Sequence, residues 1–273
     1  MNANGKIPCS VEILTRNSQA TLERCLESVK DFGEIIILDG NSTDRTREIG
    51  ARYGARILKQ YDTDEPEIAI RDFSEVRNKG LQASFYKWFM FIDADEYLSP
   101  IAAKEIRSIV LSQNPAAHVW WQPRKYVWEG TVIDCASTYP NKQMRFFHTD
   151  WVKGFAKPIH EKILLKEGAR VGTLAGFEYV PLDTLHILEK KWRNQMRAEL
   201  RLCADASRYR IAKAILRNKM LLILYIVRYI RGGLFCSGER LPFSVEYARH
   251  AQTAWGIWRL FLQFFVPSVN AGV

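Results

Sequence analysis

The sequence has no C-x-x-C pair, and its five cysteines (Cys9, Cys25, Cys135, Cys203 and Cys236) are odd in number. That pattern fits a reducing compartment better than a disulfide framework or a zinc site. Met1–Ser10 holds no apolar stretch of the kind a signal peptide needs, so a cytosolic protein is expected. Long hydrophobic runs are missing as well. Met220–Tyr229 is apolar except for Arg228, about half of the roughly twenty residues that span a bilayer. No motif of a nucleic-acid-binding module is present.

What the chain does have is a globular hydrophobic content of 47% over 273 residues, room for one large domain with an appendage or for two small ones. Its net charge of +9 is unevenly spread. Between Glu189 and Arg231 lie twelve bases, opposed by Glu189, Glu199 and Asp205, a surplus equal to the whole net charge. Such a block suits an anionic partner, nucleic acid or an anionic membrane surface. With no nucleic-acid motif beside it, nucleic acid is not expected.

The amino-terminal half alternates. Cys9–Thr15 has strand length, and Ser18 can cap a helix bearing Leu22, Cys25, Leu26 and Val29 at helical spacing. Glu34–Leu38 reads as a strand, Arg45–Tyr53 as a helix stopped by Gly54, and Ala55–Leu58 as a third strand. This β-α-β-α-β order predicts an α/β fold with a parallel sheet and right-handed crossovers. Thr15 and Arg16 end strand one, and Asp39 lies just past strand two. Together they make a candidate nucleoside pocket, since a carboxylate accepts from ribose hydroxyls or a uracil N–H. Asp39 alone reads equally well as a helix-initiating loop acid. A helix from Ser74 to about Tyr86 carries Arg77 and Asn78 on its first turns, within reach of a diphosphate or simply at the surface.

Phe89–Ile92 then reads as a buried strand running into Asp93-Ala94-Asp95-Glu96. Residues i and i+2 of a strand point the same way, about 7 Å apart, so Asp93 and Asp95 present two carboxylates at a strand's carboxyl end, where open α/β sheets place ligands. Two such charges repel by about 2 kcal/mol at an effective dielectric near 20. A hard cation, Mg²⁺ or Mn²⁺, would remove that repulsion and accept phosphate oxygens too. A solvated acidic turn before the Ser99-Pro100 helix start is the plainer alternative.

Taken in order, Ser10-Val11-Glu12-Ile13-Leu14-Thr15-Arg16-Asn17, Leu38-Asp39-Gly40-Asn41-Ser42-Thr43-Asp44-Arg45-Thr46, Arg77-Asn78 and Asp93-Ala94-Asp95-Glu96 resemble family 2 glycosyltransferases. The resemblance covers roughly residues 9 to 98. It implies a GT-A fold, a Rossmann-like nucleotide-sugar-binding domain with a mixed sheet. It implies that Thr15 and Asp39 help hold the nucleoside, with Asn17 in the same nucleotide-sugar set, and that Arg77 and Asn78 lie near the diphosphate. Asp93 and Asp95 would bind the ribose and a Mg²⁺ or Mn²⁺. The implied donor is a UDP- or GDP-sugar, and the implied reaction inverts the anomeric carbon. Glu12 departs from the pattern: it occupies a strand position that is usually apolar, where a base such as Arg16 or Arg77 could pair with it.

Ala117–Gln122 and Lys125–Trp128 read as two further strands, and Trp120, Trp121, Tyr126 and Trp128 cluster there, either as core or as a platform for a sugar face. Met144-Arg145-Phe146-Phe147-His148 is a strand, followed by Pro158-Ile159-His160-Glu161. This order resembles short family 2 enzymes that modify lipopolysaccharide cores. Attack by an acceptor hydroxyl needs a base, and Glu161 is the first choice, with Asp150, Glu178 and Asp183 as rivals. His160 is a candidate metal ligand beside Asp93 and Asp95, or a structural histidine, and His186 reads as a strand histidine.

Residues 1–187 are therefore expected to form the GT-A domain and 188–273 a basic, aromatic-rich helical region. Helices are expected over Glu189–Ala206, Arg208–Arg231 (stopped by Gly232-Gly233) and Phe243–Val266. Arg249 and Arg259 with Trp255, Trp258, Phe261, Leu262, Phe264 and Phe265 suit a helix lying in a bilayer interface, which makes the cytoplasmic face of a membrane a candidate location. Packing on the catalytic domain is the alternative. The acceptor could be a saccharide, a lipid-linked saccharide or a protein. Nucleotidyl transfer on a similar fold is disfavoured because no glycine follows strand one. A catalytically idle nucleotide-sugar binder is the remaining alternative.

Overall fold

The structure, a computed structural model, describes residues 5–158, 162–204 and 206–265. In chain order the elements are β1 (Ile7–Thr15), α1 (Leu22–Val29), β2 (Phe32–Asp39), α2 (Thr46–Arg52), β3 (Arg56–Lys59), α3 (Phe73–Ala83), β4 (Trp88–Asp93), β5 (Tyr97–Leu98), α4 (Pro100–Leu111) and β6 (Val119–Trp128). After these come β7 (Thr131–Val132), β8 (Asn141–His148), β9 (Val152–Ala156), β10 (Lys162–Leu165), β11 (Val171–Thr173), β12 (Glu178–Pro181), α5 (Leu185–Ala204), α6 (Arg208–Phe235) and α7 (Phe243–Phe265). Two compact units result: Met1–Lys125 with Asn141–Val180, and Tyr126–Pro140 with Pro181–Val273.

The first unit is built on a mixed sheet ordered β3-β2-β1-β4-β8-β6-β12-β5, with β11 and β7 also pairing β6. β3, β2, β1 and β4 are parallel, while β8 is antiparallel to both β4 and β6. β1 is covered on both flanks, so nearly all its residues are buried, the reason a parallel strand reads as a continuous apolar run. α1 buries the four residues whose spacing marked it, and α4 adds Ala102 and Ile106 to the same core. This is the α/β fold with a mixed sheet that the resemblance implied, with helices following it in the chain.

Register decides where chemistry can occur. Thr15 pairs with Asp39 across β1 and β2, and Leu14 pairs with Asp93 across β1 and β4. Three polar strand ends are thereby brought to one edge of the sheet.

The second unit joins the β6–β7 hairpin to α5, α6 and α7. The hairpin turns on Glu129 and Gly130, both at positive φ (47° and 82°), as a tight two-residue turn demands. Glu246 of α7, buried, accepts from the Ser137 N–H at 2.7 Å and from its hydroxyl at 2.5 Å. Contrary to the expectation from cysteine number, Cys135 and Cys236 are disulfide-bonded, with Cα atoms 6.3 Å apart. Cys9, Cys25 and Cys203 are free thiols.

Other departures are local. α1 starts at Leu22 and has no side-chain cap; Ser18 supplies its carbonyl to the Thr21 and Leu22 N–H groups instead. The two strands expected over 117–128 are one strand, β6. His186 lies exposed in α5 rather than on a strand. α6 runs through Gly232-Gly233 to Phe235. Each glycine costs about 1 kcal/mol in a helix, too little to stop one whose carbonyls at Gly233 and Cys236 accept from Arg240.

Gly80 lets α3 approach β1. A methyl group there would run into the Glu12 carboxylate and lie 2.8 Å from Leu38 Cδ1. Gly80→Ala should therefore destabilise the protein by about 1–3 kcal/mol, the usual cost of overpacking. Chemical denaturation measures it, and an unchanged midpoint would mean that α3 sits less tightly than described.

Candidate active site

At the β1–β2 end, Asp39 is buried and its carboxylate is held from three directions. Oδ1 accepts from the Thr15 hydroxyl at 2.8 Å and the Ser42 hydroxyl at 2.5 Å, and Oδ2 from the Ser42 N–H at 2.8 Å. A carboxylate offers about four acceptor positions, so one is left beside Oδ2. Asn17, at φ 48°, takes its place in the loop wall: its N–H donates to the Ser42 hydroxyl and its Oδ1 accepts from the Thr43 N–H. Both contacts fix the 40–44 loop against the end of β1.

At the β4 end, Asp93 is the junction of a buried chain of charges. Its Oδ1 accepts from Arg77 Nη2 at 2.8 Å and its Oδ2 from Arg145 Nη2 at 2.8 Å. Arg77, 1% exposed, also donates to Glu12 at 2.8 Å, which gives the unexpected acid of β1 its partner. Arg145, 2% exposed, also donates to Glu96 at 3.0 Å. Arg124 pairs with Glu96 and lies 3.2 Å from Glu178. Both Arg77 and Arg145 stand over the Phe91 ring, at 4.4 and 4.8 Å, a cation–π arrangement. Burial works against Asp93 ionising, but Arg145 and Arg77 outweigh it and hold the carboxyl far below the usual carboxylate range. Glu96 behaves oppositely: burial, then the Glu178 charge, push it well above its ordinary value against the pull of Arg145.

Beside Asp93 opens a cavity of about 690 Å³ whose lining includes Arg77, Arg145, Trp121, Lys142 and Lys162. Trp120, by contrast, is a core residue, so the aromatic cluster divides between packing and cavity wall.

Asn78 is engaged elsewhere. Its amide donates to the Phe155 carbonyl at 3.0 Å and accepts from the Phe155 N–H at 2.8 Å, clamping α3 to β9. Asp95 is exposed in the turn after β4, and its carbonyl accepts from Arg24 at 3.5 Å. Glu161 and His160 lie outside the described residues. Of the rival bases, Asp150 pairs with Lys87 at 2.7 Å and Asp183 with Lys191 at 2.5 Å, while Glu178 is buried against Arg124. Sequence reasoning gave no role to Glu12, Glu96, Arg124 or Arg145. A charge inside an apolar strand was the available signal for Glu12 and Arg145, while Arg124 fell in the gap between the two strands expected over 117–128, which β6 in fact runs through.

Among the described residues no three or more His, Cys, Asp or Glu side chains cluster to hold a metal ion. Mg²⁺ and Mn²⁺ do not need a full protein cage: one or two carboxylates with substrate phosphates suffice. The exposed, hard-oxygen Asp95 fits that requirement, whereas both oxygens of Asp93 already accept from arginine.

An α/β sheet with polar groups gathered at the carboxyl ends of its parallel strands defines a nucleotide-binding class of fold. The family model described as "Glycosyl transferase family 2" matches residues 10–179, and the chain belongs to that family. The lipopolysaccharide core biosynthesis glycosyltransferase LpsC of Rhizobium meliloti is 27% identical over 243 residues, 85% of this chain and 84% of that protein. Glycosyltransferase SunS from Bacillus subtilis is 37% identical over 94 residues, 32% of this chain. The chain spans only about a fifth of the length of SunS and 23% of a similar Synechococcus elongatus TPR repeat-containing protein. Staphylococcus aureus TarS, solved by crystallography, aligns over 95% of this chain and 54% of its own with a TM-score of 0.48 at 15% identity.

The shifted Glu96 makes a signed prediction. With its folded-state pKa above the unfolded value, the native protein holds an extra proton between the two, and stability falls as pH rises through that interval, by up to about 1.4 kcal/mol per unit. Glu96→Gln should flatten this decline, which begins at the ordinary glutamate range and runs upward from it. Thermal unfolding at several pH values checks it, and parallel wild-type and variant curves would refute it.

Proposed function

We propose that the protein is an inverting glycosyltransferase, moving a sugar from a UDP- or GDP-sugar to an acceptor hydroxyl with Mg²⁺ or Mn²⁺ bound. The observation that carries the reading is the alignment of Thr15, Asp39 and Asp93 on one sheet edge in a chain of glycosyl transferase family 2. The open acceptor position on Asp39 takes an N–H or hydroxyl of the nucleoside. Asp93, ionised and fixed by two arginines, takes a ribose or sugar hydroxyl. Asp95 is the residue that would hold the metal, whose chemistry is to neutralise the leaving diphosphate. The acceptor oxygen forms its bond to the anomeric carbon as the bond to the diphosphate breaks; the diphosphate leaves with the electron pair and a base takes the hydroxyl proton. Glu161 is our candidate for that base, with His160 beside it as a further metal or phosphate ligand. In functional terms residues 1–187 serve the transfer and 188–273 serve placement in the cell. Similarity to LpsC along 85% of the chain supports a role in cell-surface glycan synthesis.

Placement rests on α6 and α7. Leu216, Met220, Ile223, Val227, Ile230 and Leu234 are all exposed, and their spacing of alternately four and three residues makes one apolar stripe along α6. Trp255, Trp258, Phe261 and Phe265 add exposed aromatics on α7. Eleven of the twelve bases between Glu189 and Arg231 are exposed. Like charges flanking the stripe oppose self-pairing and favour an anionic surface, each base contributing about 1 kcal/mol there. Among the described residues no helix is long and apolar enough to cross a membrane, so the proposed association is peripheral, at the cytoplasmic face.

Two outcomes are expected. Asp95→Asn should lower transfer by about 100-fold or more, the scale of a lost metal contribution, with the unfolding midpoint little changed; full turnover in EDTA would sink the metal role. In vesicle sedimentation at low salt the protein should pellet with anionic but not neutral vesicles and be released by high salt. Equal recovery in both supernatants would leave the stripe as a self-association surface.

A further inference from the structure

We propose that the cavity beside Asp93 contains an acceptor subsite for an anionic saccharide, a sugar bearing a phosphate or carboxylate, formed by Trp121, Lys142 and Lys162. The proposal rests on the glycosyltransferase reading above and adds the acceptor's chemical class.

Sheet order separates this subsite from the nucleoside. Asp93 ends β4, which has β1 and β2 on one side and β8 and β6 on the other. Thr15 and Asp39 stand on the β1–β2 side, whereas Trp121 is on β6 and Lys142 on β8. Trp121 and Lys142 lie on adjacent, antiparallel strands, two positions out of direct register. That offset brings the Lys142 ammonium to 5.2 Å from the centre of the Trp121 ring. Lys162 enters the same cavity from β10. At about 690 Å³ the space falls in the range of ordinary small-ligand pockets.

The chemistry follows from what remains after the buried charges are matched. Among the described residues Asp93 is the acid of the cavity lining, and both its oxygens accept from arginine. The exposed ammonium groups of Lys142 and Lys162 therefore set the sign of the cavity mouth. A half-buried indole offers a flat apolar face to the C–H face of a sugar ring. A lysine held over that indole reaches a substituent on the ring's rim, and two such lysines select an anionic one. A neutral sugar would gain the stacking and lose the ion pairs.

The test is binding of glucose 6-phosphate, glucuronate, methyl glucoside and inorganic phosphate to the full chain, by saturation-transfer NMR and calorimetry, with and without UDP. The expected result is about tenfold tighter binding of the two anionic sugars than of methyl glucoside, independent of UDP. Lys142→Gln/Lys162→Gln, both at exposed positions, should erase that difference and leave UDP affinity within about twofold. Trp121→Ala should weaken all three sugars but not phosphate, and Trp121→Phe, which keeps a ring, should restore most of the binding. Equal affinity for charged and neutral sugars overturns the proposal. So does a loss of UDP affinity in the lysine variant as large as the loss of sugar affinity, which would give the lysines to the donor diphosphate. Phosphate binding as tightly as glucose 6-phosphate and indifferent to Trp121 overturns it too. Failure of the wild-type protein to bind UDP would count against the donor reading alone, because the sugar titrations without UDP still decide the subsite.

Discussion

The carboxylate of Asp93 is shared by two arginines from different parts of the chain, and much of the first unit is arranged to permit it. Arg77 comes from α3 and Arg145 from β8. Each is buried and donates to a further acidic side chain, Glu12 for the one and Glu96 for the other. A guanidinium left in the interior without its partner costs about 3–5 kcal/mol. The parallel strands, the crossover helix and the antiparallel strand β8 must therefore arrive together for any of these charges to be satisfied. Buried Phe91 lies under both guanidinium groups and offers its ring face to each.

This arrangement divides labour along the sheet. Parallel strands end in small hydrogen-bonding groups, and the loops after them fold back onto Asp39 through Ser42. Antiparallel strands beyond β4 bring longer side chains, Trp, Lys and Arg, into the cavity. The change in strand direction at β4–β8 is what allows the two sets to meet at Asp93, since a chain entering from the opposite end presents its residues at the same edge.

How far this was readable varies with the physics of each element. β1, β2 and β4 announced themselves as apolar runs because they are buried on both faces, and α1 by the spacing of four residues that all entered the core. Asp39 and Asp93 were visible because strand ends are where polar residues must reappear. Arg77 was singled out for a diphosphate, and its contact with Glu12, 65 positions away in sequence, could be named only as one option. Asn78 shows the opposite limit: an amide can serve a ligand or a backbone equally well, and only the approach of β9 decides for the backbone. The carboxyl end of α6 was misjudged because two glycines weaken a helix without ending it. The pairing of Cys135 with Cys236 was hidden by the long separation between them and by the odd count.

The linked charges from Glu12 to Glu178 also bear on how such a sequence can change over generations. Each member touches at least one other, so the effect of replacing one depends on the state of its neighbours, and single effects do not add across contacts of this kind. Removing Glu12 takes away one of the two acids that Arg77 pairs with; removing both Glu12 and Arg77 takes one of the two arginines from Asp93. A neutral route through sequence space must therefore exchange oppositely charged members in pairs, or fill the space of both with apolar side chains at once. The outer strands and loops can drift one residue at a time. The interior beside Asp93 moves only in concerted steps, and it is the part of the protein where epistasis should be strongest.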